Sequence, residues 1–169
     1  MDENGQTYTE LDDILRIQLK YYEDLYRARP SEPTEAEENY FLDAIDMTVT
    51  DESKQTMDQN MTHEELDGSK SKMKGNTSPG EDGIIPEFYE DNWDILKNDF
   101  YEMTTYALRS GSLPRSHYLA GIILLYKKGL REELKNWRPI SLLNIDYKII
   151  SKAIAERVKK ILLQVIHSD

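Results

Sequence analysis

Tyr118-Leu119-Ala120-Gly121-Ile122-Ile123-Leu124-Leu125-Tyr126 and Trp137-Arg138-Pro139-Ile140-Ser141-Leu142-Leu143, with the polar Lys127 to Asn136 between them, decide the fold class. Both runs are short, apolar and rich in isoleucine and leucine, and the segment joining them is polar and contains Gly129. That is how two paired strands and their connection read in a sequence. The spacing predicts a β-hairpin with a basic tip. An isolated pair of strands is barely stable in water, so it must pack on flanking helices or on something outside this chain.

Downstream, Tyr147, Ile150, Ile154, Val158, Ile161 and Val165 recur at helical spacing, with Lys148, Lys152, Arg157, Lys159 and Lys160 off that stripe. This predicts a basic amphipathic helix. Upstream, Gly75 to Gly83 holds three glycines and a proline, with Pro-Gly and Asp-Gly turn dipeptides, and reads as a loop. Between loop and hairpin, Ile85, Tyr89, Trp93, Leu96, Phe100, Met103 and Ala107 mark the best core helix, open to a break near Asp91-Asn92 and stopping at Gly111 and Pro114. Toward the N-terminus, three Thr-x-x-Glu capping boxes stand at Thr7, Thr34 and Thr62. The first precedes a stripe of Leu11, Leu15, Leu19, Tyr22 and Tyr26 in a helix ending near Arg29-Pro30. The second follows a turn at Pro30 to Pro33 and precedes Tyr40, Phe41, Leu42 and Ile45. The third opens a helix through Met73, and a weak polar stretch from Met47 to Asn60 holds one short helix beginning near Thr50. Helices, loop, helix, hairpin, helix is an α+β order, mostly helical.

The chain has 169 residues, of which 31% are charged and 38% hydrophobic, with a net charge of −11 and no cysteine. Disulfides, thiolate zinc sites and a cysteine nucleophile are excluded. The longest apolar run, Leu119 to Tyr126, falls well short of the roughly 20 residues a bilayer span needs. Met1-Asp2-Glu3-Asn4 has no secretory character. An intracellular protein, nuclear or cytoplasmic and without a membrane partner, is expected. The charge is segregated. Residues 1–68 carry 19 acids and 5 bases, whereas residues 110–169 carry 5 acids and 11 bases. A basic surface attached to an acidic helical segment suits a phosphate-bearing partner, against the plainer reading of a solvated basic face.

His63, His117 and His167 lie too far apart for a metal motif, and no phosphate-binding P-loop is present. Lys127-Lys128-Gly129 closes one strand and Trp137-Arg138-Pro139 opens the next. Hairpin pairing brings them together, and a lysine point charge beside an arginine fork can clasp a triphosphate or a nucleic-acid backbone. A tip that is merely solvated is the alternative.

Four ordered blocks add a resemblance: Ser78-Pro79-Gly80-Glu81-Asp82-Gly83-Ile84-Ile85-Pro86-Glu87-Phe88-Tyr89, Gly111-Ser112-Leu113-Pro114, Ile122-Ile123-Leu124-Leu125-Tyr126-Lys127-Lys128-Gly129 and Asn136-Trp137-Arg138-Pro139-Ile140-Ser141-Leu142-Leu143-Asn144. In order and spacing they resemble the opening blocks of the reverse transcriptase domain of LINE-type (non-LTR) retrotransposons. The helix from Tyr147 through His167 continues the pattern. The likeness covers about residues 76–169 and is weaker from about Thr62, so residues 1–61 read as an acidic helical connector and 62–169 as a partial reverse transcriptase domain.

The resemblance implies the fingers subdomain of a right-hand polymerase, contacting an RNA template with its DNA primer and the incoming dNTP. Lys127 or Lys128, with Arg138, matches the triphosphate-contacting positions. Ser78, Pro79, Gly80, Asp82 and Gly83 match the template-proximal loop, whose small residues allow close approach. Trp137 is either core or a base contact. Thr77 stands where the family usually has a basic residue. The chain ends at His167-Ser168-Asp169, before the palm whose aspartates bind Mg2+, and Asp82, Asp146, Glu132 and Glu133 do not replace them. The expected function is a fragment of an RNA-directed DNA polymerase, a nucleotidyltransferase that is inactive without palm and thumb. The alternative is a non-enzymatic remnant that binds nucleic acid or protein. A fingers piece alone is expected to be loosely packed and prone to self-association.

Overall fold

The computed structural model describes residues 5–27, 34–42 and 48–165. Among them lie α1 (Leu11–Tyr26), α2 (Glu35–Leu42), α3 (Asp51–Asp58), α4 (His63–Ser71), α5 (Pro86–Ser110), β1 (Gly121–Tyr126), β2 (Trp137–Leu142) and α6 (Ile145–Val165), with β1 and β2 paired as a hairpin. The α+β, mostly helical class is therefore observed. The turn at Pro30 to Pro33, the helix end at Arg29, Ile45, Met47 and the His167 terminus lie outside the described residues. No helix among the described residues is long and apolar enough to cross a membrane.

The chain forms two compact units, Met1–Ala44 with Ile122–Ile140, and Ile45–Gly121 with Ser141–Asp169. The second holds the core. Met61, Leu66, Tyr89, Trp93, Phe100, Ile145, Ile149, Ile150 and Ala153 form one buried cluster. Burying each isoleucine contributes about 2 kcal/mol. Local signals fix its helices. Thr62 Oγ1 accepts from Glu65 N at 3.2 Å while Thr62 N donates to Glu65 Oε2 at 2.9 Å, the reciprocal cap expected for α4. Thr50 caps α3. In α5, Pro86 occupies the first turn and Gly111 ends the helix at φ 66°, in the left-handed region where glycine is unstrained. The helix is continuous through Asp91-Asn92, and Asn92 Nδ2 donates to the Phe88 carbonyl at 2.8 Å. The Trp93 indole N–H donates to Asp67 at 2.6 Å, fastening α5 to α4.

Two predicted stripes are corrected. In α6 the buried face is Ile145, Ile149, Ile150, Ala153 and Arg157, while Ile154 and Val165 are exposed. Apolar counting missed it because a small alanine and a neutralised arginine share the core face. Arg157 Nε donates to Glu65 Oε1 at 2.6 Å, Nη2 donates to Glu65 Oε2 at 2.6 Å and to the Asn60 carbonyl at 2.7 Å, and Nη1 donates to the Gln59 carbonyl at 2.6 Å. In the first unit, α1 starts after Glu10, so Thr7 does not cap it. Its half-buried apolar residues are Ile14, Ile17, Tyr21 and Tyr22; of the predicted stripe only Tyr22 is half-buried, and Leu11, Leu15, Leu19 and Tyr26 are exposed. Ile14 and Ile17 line a cleft with Leu124 and Trp137 of the same unit, which explains the rotation.

Candidate nucleic-acid interface

The hairpin register follows from two observations. Lys127 N donates to the Asn136 carbonyl at 2.9 Å. A Cβ added to Gly121 would lie 3.9 Å from Leu142 Cβ, setting those two residues side by side. Tyr126 then faces Trp137, and their rings meet edge to face at 5.5 Å. Leu125 faces Arg138. Because directly opposed residues share a face, Lys127 and Arg138 are diagonal neighbours on one side of the hairpin. Both are exposed, as is Lys128 just beyond the end of β1. None of the three side chains has a hydrogen-bond or ion-pair partner among the described residues.

The connection between the strands is built from the motif residues themselves. Gly129 has φ 96°, and a Cβ there would fall 2.5 Å from Asn136 Nδ2. Asn136 Nδ2 donates to the Leu130 carbonyl at 2.9 Å and to Glu133 Oε2 at 3.0 Å. The Trp137 indole N–H donates to the Arg131 carbonyl at 2.8 Å, and the Arg131 guanidinium lies 4.7 Å from the Tyr126 ring centre. Trp137 is half-buried, with its one donor engaged inside the connection. The glycine, asparagine and tryptophan thus hold the loop, and the cations are left to solvent.

The Ser78 to Gly83 loop belongs to the other unit, where it packs on the start of α6. A Cβ on Gly80 would meet Asn144 at 2.0 Å from Oδ1, 2.4 Å from N and 2.7 Å from Cα, so only glycine fits. Gly83 turns at φ 72°, its N–H donates to the Gly80 carbonyl at 3.2 Å, and Asp82 accepts from Ile84 N at 2.9 Å. Lys148 Nζ reaches the Ser78 carbonyl at 3.5 Å. Ser78, Asp82 and Gly83 are exposed, and Pro79 and Gly80 are partly buried.

Behind the loop lies a polar group that sequence spacing did not reveal. His117, in a short 3-10 turn at Arg115–Tyr118, is 1% exposed at its side chain, and its Nε2 stands 2.8 Å from Asp146 Oδ2. Asp146 Oδ1 accepts from Tyr147 N at 2.6 Å, and Asn144 Nδ2 lies 3.4 Å from the Ser116 carbonyl. Burial, reinforced by the negative charges of Asp146 and Asp82, pushes the Tyr89 phenol far above its ordinary range. In the sequence His117, Asn144 and Asp146 each stood out separately, and nothing in their spacing joined them. Among the described residues no three histidine or carboxylate side chains gather as a metal site. The residues described do not fit the carboxylate cage of two-metal nucleotidyl transfer.

No protein-family model matches the chain. Over 167 residues, 99% of its length, the chain is 38% identical to the Transposon TX1 uncharacterized 149 kDa protein of Xenopus laevis. It spans 12% of that protein's length. The chain is thus similar to a transposon protein from end to end.

Proposed function

We propose that this chain is the connector and fingers portion of a LINE-type reverse transcriptase, contacting the template and the incoming dNTP without carrying out nucleotidyl transfer itself. The observation that carries the reading is the end-to-end similarity to a transposon protein, of which this chain corresponds to a small share. Two features support it. Lys127 and Arg138 share an exposed face of a hairpin whose connection is hydrogen-bonded through Asn136 and Trp137, and none of Lys127, Lys128 and Arg138 is neutralised by a carboxylate among the described residues. An unpaired lysine and arginine, diagonal neighbours across strands, can meet successive phosphate oxygens, the lysine as a point charge and the arginine through its fork. The exposed Ser78 and Gly83 supply the second contact, toward the template backbone, on a turn that Asp82 holds by accepting from Ile84 N.

The test is titration of the whole chain with a labelled RNA–DNA primer-template at low and moderate salt. Its comparison is the Lys127→Ala/Lys128→Ala/Arg138→Ala variant. Each phosphate that the protein no longer neutralises reduces the dependence of log affinity on log salt by about 0.7 to 0.9. The variant should therefore bind more weakly and with a shallower salt slope. Equal affinity and slope in the two proteins would remove the hairpin from the interface. A non-enzymatic remnant that docks on protein is the second reading, favoured by the exposed leucine face of α1.

A further inference from the structure

Helix α1 has no buried residue, and Leu11, Leu15 and Leu19 are 68%, 52% and 62% exposed. With the half-buried Tyr22 and the exposed Tyr26 they step by 4, 4, 3 and 4 residues, a continuous apolar stripe along four turns. At 3.6 residues per turn, Asp12, Arg16, Glu23 and Arg27 fall on one edge of this stripe, in the order acid, base, acid, base. The other edge carries Ile14, Gln18 and Leu25, without charge. Among the described residues Arg16 and Arg27 make exposed ion pairs within their own segment, to Asp13 at 2.6 Å and Asp24 at 2.8 Å. Such surface pairs exchange at little cost.

We propose that α1 is a self-association surface, and that its occupant is α1 of a second copy of this chain in antiparallel orientation. The charge order selects this partner. Around a two-fold axis between Leu19 and Lys20, Asp12 meets Arg27 of the second copy and Arg16 meets Glu23. Symmetry repeats both pairs, and the leucines of one helix pack beside the tyrosines of the other. An antiparallel two-fold pair brings like edges together, so the charged edge faces its own complement. A parallel pair would set the charged edge against the uncharged one and forfeit all four ion pairs. The interface is independent of nucleic acid.

The test is sedimentation of the whole chain over a range of micromolar concentrations, with Leu15→Glu/Leu19→Glu alongside. Both substitutions are on an exposed face, and an unchanged far-ultraviolet circular dichroism spectrum establishes that the variant folds. Dimer should grow with concentration in the parent and vanish in the variant. Arg16→Glu should weaken the dimer, and Arg16→Glu/Glu23→Arg should restore it, because the swapped pair is again complementary. The chain has no cysteine, so single cysteines report orientation directly. Leu19→Cys, beside the axis, should oxidise to a covalent dimer, and Leu11→Cys, far from its copy, should not. A parent that remains monomeric overturns the proposal and assigns the stripe to a different protein. Dimer that persists in Leu15→Glu/Leu19→Glu, or efficient crosslinking through Leu11→Cys, also overturns it.

Discussion

Gly80 and Gly68 show how one residue type carries opposite consequences. At Gly80 any side chain meets the backbone of Asn144, which cannot rotate away, so Gly80→Ala should lower the stability of the fold by about 2 kcal/mol. Gly68 lies inside α4 with nothing within 4 Å of an added Cβ, so Gly68→Ala should raise stability by about 0.5 to 1 kcal/mol. Urea titration of the two variants checks both signs. Tyr89 makes a prediction in alkali. Its native-state phenol is held above the ordinary tyrosine range, so its contribution is intact below that range. As pH rises through it, the unfolded chain ionises first and stability falls; Tyr89→Phe should blunt that fall. The resemblance implied that Gly80 lets a template come close, and in the structure it is Asn144 of the same chain that lies against it. The sequence did not mark Asn144 as what approaches, because nothing local links two residues so far apart in the chain.

Among the elements, α6 depends most on one side chain. Arg157 is buried, and its guanidinium engages both oxygens of Glu65 in the first turn of α4 and the carbonyls that follow α3, so one group ties three helices together. Arg157→Met keeps the bulk but leaves Glu65 without its charge partner, with only the Thr62 N–H still donating to it among the described residues, and removes the donor of the Gln59 and Asn60 carbonyls. It should cost about 3 kcal/mol in chemical denaturation. The same pair sets an acid limit. Hydrogen bonding from Arg157 holds the Glu65 carboxyl below the usual glutamate range, so its contribution is complete above that range and is lost as pH falls through it and below. Thermal melts from neutral to acidic pH should show this loss in the parent and a weaker one in Arg157→Met. Helix α5 was legible because its buried face is apolar apart from Thr104 and its ends carry proline and glycine. The α6 face was not, because pairing with a distant glutamate makes an arginine acceptable in a core, and periodicity reads only apolarity.

At the scale of the whole molecule, burial is unequally shared. The cluster from Met61 to Ala153 lies in one unit, whereas α1 has no buried residue and the strands of the hairpin are at best half-buried. Hydrogen exchange should therefore find the amides of α5 and α6 long-lived and those of α1 and the hairpin faster by an order of magnitude or more, about 1.4 kcal/mol per factor of ten. Uniform protection across all of them would contradict that division. The hairpin itself was readable from its two apolar runs and the polar segment between them. Its assignment to a different unit from the flanking helix was not, because unit membership depends on packing partners and composition carries no record of them. The chain leaves the larger unit after Gly121 and returns to it at Ser141, next to Leu142, which stands beside Gly121. Residues 122–140 therefore have the topology of a cassette. Evolution can lengthen, shorten or exchange such an excursion through a single doorway, and the surface it presents can diversify while the framework that carries it stays the same.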